Sequence, residues 1–311
     1  MRKRSLALSW RVILISNPAK LCYQNGALVV QQDHNYRVPV EDISSIIVDN
    51  PQVIITQPLL SKAAEYGIAI FSTDNSHLPN GIFLPFAQHH NSLNLVNLQI
   101  NCKKPVLKRL RTSIIVAKIQ NQAQCLRINK LEGADGLDCL AKEVRSGDPD
   151  NIEAKAAMRY FKFLFGKSFA RNDELSNINS CLNYGYAVIR GEIARRLVGH
   201  GLFPPIGIFH CNKKNPFNLA DDLIEPFRPI VDIFTEKFIK NCNNQDFILP
   251  KASLVSLLNY EVSMPEGKMA ISLAIEYVIE SYVRILSNET KKLSLPNIEN
   301  FIKHEYTENM S

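Results

Sequence analysis

What this chain lacks narrows it first. No uncharged apolar run approaches the ~20 residues needed to span a bilayer, so no segment reads as a membrane anchor. The seven cysteines (Cys22, Cys102, Cys125, Cys139, Cys181, Cys211 and Cys242) form no C-x-x-C pair and are odd in number. A secreted disulfide framework or a zinc knuckle needs closer, paired spacing, whereas free thiols suit a reducing cytosol. The start, Met1-Arg2-Lys3-Arg4, has the charge of a signal peptide, but Arg11 interrupts the apolar stretch behind it and no small-residue cleavage site follows. The expectation is a soluble, cytoplasmic protein without a membrane partner. There is no internal repeat, no low-complexity tract and no Ser-His-Asp or Cys-His pattern of a protein nucleophile, and Cys211 merely adjoins His210.

What is present suits a globular protein. A chain of 311 residues accommodates two domains of ordinary size. Hydrophobic residues at 46% and charged residues at 21% supply a core without signalling disorder. A net charge of +6 permits an anionic partner but does not require one.

The first ~85 residues carry β patterning. Arg11–Ser16 is a β-branched run, and Leu21–Gln31 reads as a hairpin tipped by Asn25-Gly26, a pair that tolerates the positive φ a type I′ turn demands. Apolar runs follow at Ile46–Val48, Val53–Thr56 and Ile68–Ser72, with a short helix predicted at Pro58–Tyr66 and closed by Gly67. Beyond about residue 86 the apolar period becomes three to four. Helices are predicted from Pro105 to Leu131, from an Asp148-Pro149 start to Gly166, and from Ser176 to Val198. Later helices are expected near 219–240, 252–260, 267–287 and 295–306. The fold class is therefore α+β: a small β-rich domain (1–85), a linker (86–100) and a larger all-α domain (101–311).

Three stretches can carry chemistry. From residue 75 to residue 131 there is no carboxylate, while Lys103, Lys104, Lys108, Arg109, Arg111, Lys118, Arg127 and Lys130 fall within it, most on one predicted helix. A solvated helix face is the ordinary account of a charge run, but such faces mix signs; a single-sign face favours a polyanion such as a nucleic-acid backbone. The second stretch runs from Gly207 to Pro229, GIFHCNKKNPFNLADDLIEPFRP. His210 follows a strand-like apolar segment, and a helix then carries Asp221, Asp222 and Glu225, with Pro226 and Pro229 limiting its regularity. Asp222 and Glu225 share a face at i, i+3; Asp221 and Glu225 do so at i, i+4, so spacing does not choose between the aspartates. Carboxylates beside a histidine can hold a hard divalent cation, with Lys213, Lys214 and Arg228 near a bound phosphate. The same acids also suit a helix start through its dipole. Third, Glu153 lies on the stripe of Ala157, Tyr160 and Leu164, where burial would demand a partner and a solvent-facing head would not.

Together these residues resemble the CRISPR-associated integrase family called Cas-one. The resemblance covers nearly the whole chain and is sharpest in SCLNYGYAVIRGEIARRL (Ser180–Leu197) and in GIFH…NPFNLADDLIEPFRP, which looks like the type II branch. It implies an enzyme that joins 3′-hydroxyl ends of short foreign DNA into a CRISPR repeat, using Mg2+ or Mn2+. It implies that Glu153, His210 and Glu225 hold the catalytic metal, with Asp222 as a further candidate ligand. It also implies a homodimer through the β domain, a heterohexamer with a small partner protein of the same operon, double-stranded DNA as substrate, and participation of the RNA-guided effector nuclease. Lys103, Lys104, Lys108, Arg109, Arg111, Arg190, Lys213, Lys214 and Arg228 are the candidate DNA contacts. A stand-alone structure-specific nuclease and a non-enzymatic DNA-binding scaffold are the rival readings.

Overall fold

The computed structural model describes residues 11–74, 79–85, 89–173, 176–242, 247–299 and 301. The β patterning at the N-terminus resolves into two four-stranded sheets. One orders β1 (Arg11–Ile15), β5 (Ile43–Val48), β7 (Ala69–Thr73) and β8 (Pro79–Phe83), with the first three parallel and β8 antiparallel. The other orders β4 (Asn35–Pro39), β3 (Ala27–Gln31), β2 (Lys20–Gln24) and the two-residue β6 (Ile54–Ile55). β2 and β3 form the expected hairpin, and Asn25 and Gly26 take φ of 48° and 78° at its tip. Helix α1 (Gln57–Tyr66) closes on Gly67 at φ 71°.

Strand alternation divides the apolar residues between two cores. Ile43, Ile46 and Ile70 face Leu21, Leu28 and Val30 of the second sheet and Leu59 and Ala63 of α1. Their neighbours Ile47, Ala69 and Phe71 face the other way, into the helical core. The continuous β-branched runs are thus strands buried on both faces.

The helical part comprises α2 (Ser92–Ile100), α3 (Lys104–Ile128), α4 (Ala134–Glu143), α5 (Ile152–Phe165), α6 (Asn177–Gly199), α7 (Asn218–Ile224), α8 (Arg228–Asn241), α9 (Lys251–Ser256) and α10 (Ile271–Leu286). α6 runs through its centre and is buried on almost every side. Gly191 of α6 lies against the Phe71 ring, and a Cβ there would meet the ring at 2.3 Å, so the helix backbone rests directly on the sheet.

Four expectations need correction. The 86–100 segment is no free linker: α2 occupies its second half, buries Leu95, and uses Gln99 to hold the backbone of Phe203 and Ile206. The second domain is not all-α, because Glu261–Met264 (β9) and Gly267–Ala270 (β10) pair antiparallel, taking the first residues assigned to the 267–287 helix. The 295–306 stretch forms no helix in its described residues; Asn297 bridges to Ser263 instead, and residues 300 and 302–306 lie outside the description. The helix predicted from Asp148-Pro149 begins three residues later, at Ile152. Asp148 still caps it, accepting from the amides of Ile152 at 2.8 Å and Glu153 at 3.1 Å.

A carboxylate and histidine site around Lys118

The two glutamates separated in sequence meet on one lysine. Asp148 fixes the start of α5 and so places Glu153 in its first turn. Glu225 begins a 3-10 turn, Glu225–Phe227, forced between α7 and α8 by Pro226 and Pro229. α3 packs against both segments and presents Lys118, whose Nζ lies 2.7 Å from Glu153 Oε1 and 2.6 Å from Glu225 Oε2. Side-chain exposure falls from 22% at Glu153 to 12% at Lys118 and 6% at Glu225. The site is therefore open on the Glu153 side.

Burial alone would raise Glu225, but the charges of Lys118 and Arg228 bring its pKa down to about 2. Lys118 is held protonated: burial lowers its pKa, and the charges of Glu225 and Glu153 more than reverse this. Arg228 Nε donates to Glu225 Oε1 at 2.8 Å, and its guanidinium lies 4.5 Å from the Tyr186 ring centre. Glu225 Oε2 pairs with Lys118 and, among the described residues, with no other group.

His210 is placed by Asp222, not by a strand; residues 202–216 form no regular element. Asp222 is fully buried in α7 and takes four hydrogen bonds: from the amides of Ile208, Phe209 (3.2 Å) and His210 (3.1 Å), and from His210 Nδ1 (2.6 Å). The bend needs Gly207, where a Cβ would lie 2.3 Å from the His210 carbonyl oxygen. An ionised carboxylate only accepts, so Nδ1 carries the proton and Nε2 keeps a lone pair in the neutral ring. The Asp222 hydrogen bond raises the His210 pKa, partly opposed by burial, and the charges of Asp222, Glu225 and Asp221 add to it. With four hydrogen bonds accepted, Asp222 positions His210. Asp221, indistinguishable from it by spacing, instead takes Asn215 at 2.6 Å and Arg190 at 3.7 Å.

The donor set suits a hard divalent cation: two carboxylates on one point, a buried oxygen without a hydrogen bond, and an imidazole with one nitrogen free. Among the described residues no three His, Cys, Asp or Glu side chains already stand together as ligands. Lys118 holds the position between the glutamates.

Residues 12–261 match the family described as CRISPR associated protein Cas1. The chain belongs to the Cas1 family. The CRISPR-associated endonuclease Cas1 of Neisseria meningitidis serogroup C (strain 8013) is 39% identical over 304 residues, covering 96% of this chain and 100% of that protein. A casposase bound to integration product shares the fold at a TM-score of 0.77 and 19% identity, over 97% of this chain and 96% of that one. So does a Cas6-RT-Cas1–Cas2 complex, at a TM-score of 0.71 and 15% identity, over 92% of this chain and 36% of that one.

In this Cas1-family chain the candidate DNA contacts separate into two sets. Lys103, Lys104, Lys108, Arg109, Lys213 and Lys214 are exposed. Arg111, Arg190 and Arg228 are half-buried and stacked on rings: Arg111 on Phe209, Arg190 on Phe217, Arg228 on Tyr186. The hydroxyls of Tyr160 and Tyr186 both bond the buried Asp232, which makes Tyr186 core; Tyr184 is core as well. Sequence reasoning counted Lys118 only as one charge in a basic run. Its signal was position: it shares the buried face of α3 with Ile114, Ile115, Ile119 and Gln122. No helix is long and apolar enough to cross a membrane among the described residues, and Cys22, Cys102, Cys125, Cys139, Cys181 and Cys211 are free thiols.

Proposed function

We propose that this chain is a divalent-metal-dependent DNA endonuclease and integrase of CRISPR adaptation, acting in the cytoplasm. The observation that carries the reading is the meeting of Glu153 and Glu225 on Lys118, with a histidine held by Asp222 within reach of the Glu225 charge. Glu153, Glu225 and His210 Nε2 would hold Mg2+ or Mn2+. When bound, the cation orients a phosphate, offsets its developing charge and activates an attacking hydroxyl.

The remaining work falls to the chain. Arg228 keeps Glu225 ionised and aimed. Asp222 fixes the tautomer and direction of the His210 ring. The exposed cations of α3 and of the 213–214 loop hold backbone phosphates. A 3′-hydroxyl of a short duplex attacks a phosphodiester at the repeat edge; one P–O bond forms and another breaks, with no protein nucleophile. Water in place of that hydroxyl gives strand cleavage. The name Cas1–Cas2 for the structural neighbour supports a small protein partner, and the two-sheet N-terminal region offers β4 and β6 as edges for a homodimer. A heterohexamer, and participation of the RNA-guided effector of a type II system, complete the proposal.

The test is a strand-transfer assay with a duplex bearing free 3′-hydroxyls, a supercoiled repeat plasmid, the small partner and Mg2+ or Mn2+. Joining that disappears with chelator, in Glu153→Ala and in His210→Ala is the expected result. Cutting without joining would leave a structure-specific nuclease. Joining that survives both substitutions would remove these residues from the mechanism.

A further inference from the structure

We propose that Lys118 is an internal counter-ion that holds Glu153 and Glu225 together until a divalent cation displaces it. Metal entry and release of Lys118 are then one event. This rests on reading the two glutamates as metal ligands.

Three observations carry it. Lys118 Nζ contacts both carboxylates, at 2.7 and 2.6 Å, and those carboxylates come from separate elements. Two buried anions brought this close repel, and a mostly buried ammonium offsets that repulsion. Second, Lys118 and Arg228 offset the charges of Glu153 and Glu225, so withdrawing Lys118 makes the site more anionic by one charge and more attractive to a cation. Third, the two cations are held differently. Arg228 has a directed 2.8 Å hydrogen bond and an aromatic ring beneath it. Lys118 donates to Glu153 Oε1 at 2.7 Å and meets Glu225 Oε2 at 2.6 Å. A lysine is a point charge on a flexible stem and can leave without rebuilding its surroundings, whereas a guanidinium fork is fixed in plane. Arg228 stays, and Lys118 is built to go. Its presence taxes metal affinity by the fraction of molecules in which it has moved aside.

Mn2+ binding by titration calorimetry and thermal unfolding with and without Mn2+ test this on the full chain. The variants are Lys118→Met, Lys118→Arg and, as a control on the ligands, Glu153→Gln. Lys118→Met is expected to bind Mn2+ about ten-fold more tightly than the parent. It should melt lower in chelator and recover with Mn2+. Lys118→Arg keeps the charge but locks it in place, and is expected to bind Mn2+ more weakly; this variant keeps a test available should the Met variant not fold. Unchanged or weaker binding by Lys118→Met, or unchanged or tighter binding by Lys118→Arg, overturns the proposal. If Glu153→Gln meanwhile abolishes binding, the ligand reading survives that failure. If Glu153→Gln binds Mn2+ like the parent, the ligand reading falls and takes the proposal with it.

Discussion

Two ionic clusters sit in the helical core, and they are built on opposite principles. At the site, Glu153 and Glu225 share one flexible lysine, one oxygen lacks a hydrogen bond, and one flank is open. Across α6 and α10, Glu192 takes Arg195 through both oxygens at 2.7 and 2.8 Å and Arg196 Nε at 2.6 Å. Arg196 reaches on to Glu276, which also meets His200 Nε2 at 2.6 Å. Arg195 donates to the Gly67 carbonyl, tying α6 to the N-terminal region. Here the donors are two guanidinium forks and His200, and every oxygen of Glu192 and Glu276 has a hydrogen bond. A saturated cluster has no capacity left for a ligand, so it fastens; an under-saturated one is available for chemistry.

The sharpest way to break that contrast is Arg196→Met. It leaves Glu192 to Arg195 alone and Glu276 to His200 alone, and should cost about 3 kcal/mol in urea unfolding; a loss below ~1 kcal/mol would show the cluster to be ornamental. Glu153→Gln should do the reverse, with strand cleavage falling by on the order of 10²–10³ and the urea midpoint nearly unmoved. A matched loss of stability would make Glu153 a structural residue. Asp222→Asn, which weakens the hold on His210, should reduce activity or metal affinity by about 10–100-fold, measured by Mn2+ titration beside turnover.

Acid separates the clusters from a third buried acid. Glu225 and Glu276 are both depressed to about 2 from 4.5. Their stabilisation is present above about 4.5 and is lost as pH falls toward 2. Asp232, bonded among the described residues by tyrosine hydroxyls, is pushed by burial from 3.8 up to about 6. The folded chain holds that proton more tightly than the unfolded one, so stability declines as pH rises from about 4 to about 6. Urea midpoints across this range should flatten in Asp232→Asn while the acid limb remains; an unchanged slope would assign the decline to another group. The smallest effect belongs to Arg127→Ala. It removes exposed pairs with Asp135 and Asp138 and should shift stability by under ~1 kcal/mol.

The helices most legible in sequence were those with local punctuation: α1 ending at Gly67, α6 capped by Ser176, α3 opened by Pro105. β4 escaped notice because its residues are polar and largely exposed at a sheet edge. α2 passed for linker because its uncharged run, lacking a side-chain cap or breaker, gave no helix signal. β10 passed for the start of the 267–287 helix and β9 fell between predicted helices, because four-residue strands do not declare their period.

By itself the sequence determined which residue types were available and where glycine and proline punctuate the chain; its family resemblance implied that Glu153, His210 and Glu225 act together. Only the tertiary structure decided between Asp221 and Asp222, since a one-residue step around α7 turns one carboxylate onto the buried 207–210 bend and the other toward Arg190. It alone placed Lys118 between the glutamates. Helical spacing sets the face a side chain occupies, but the packing of α3 against α5 and the Glu225 turn sets what that face meets, and those contacts are non-local.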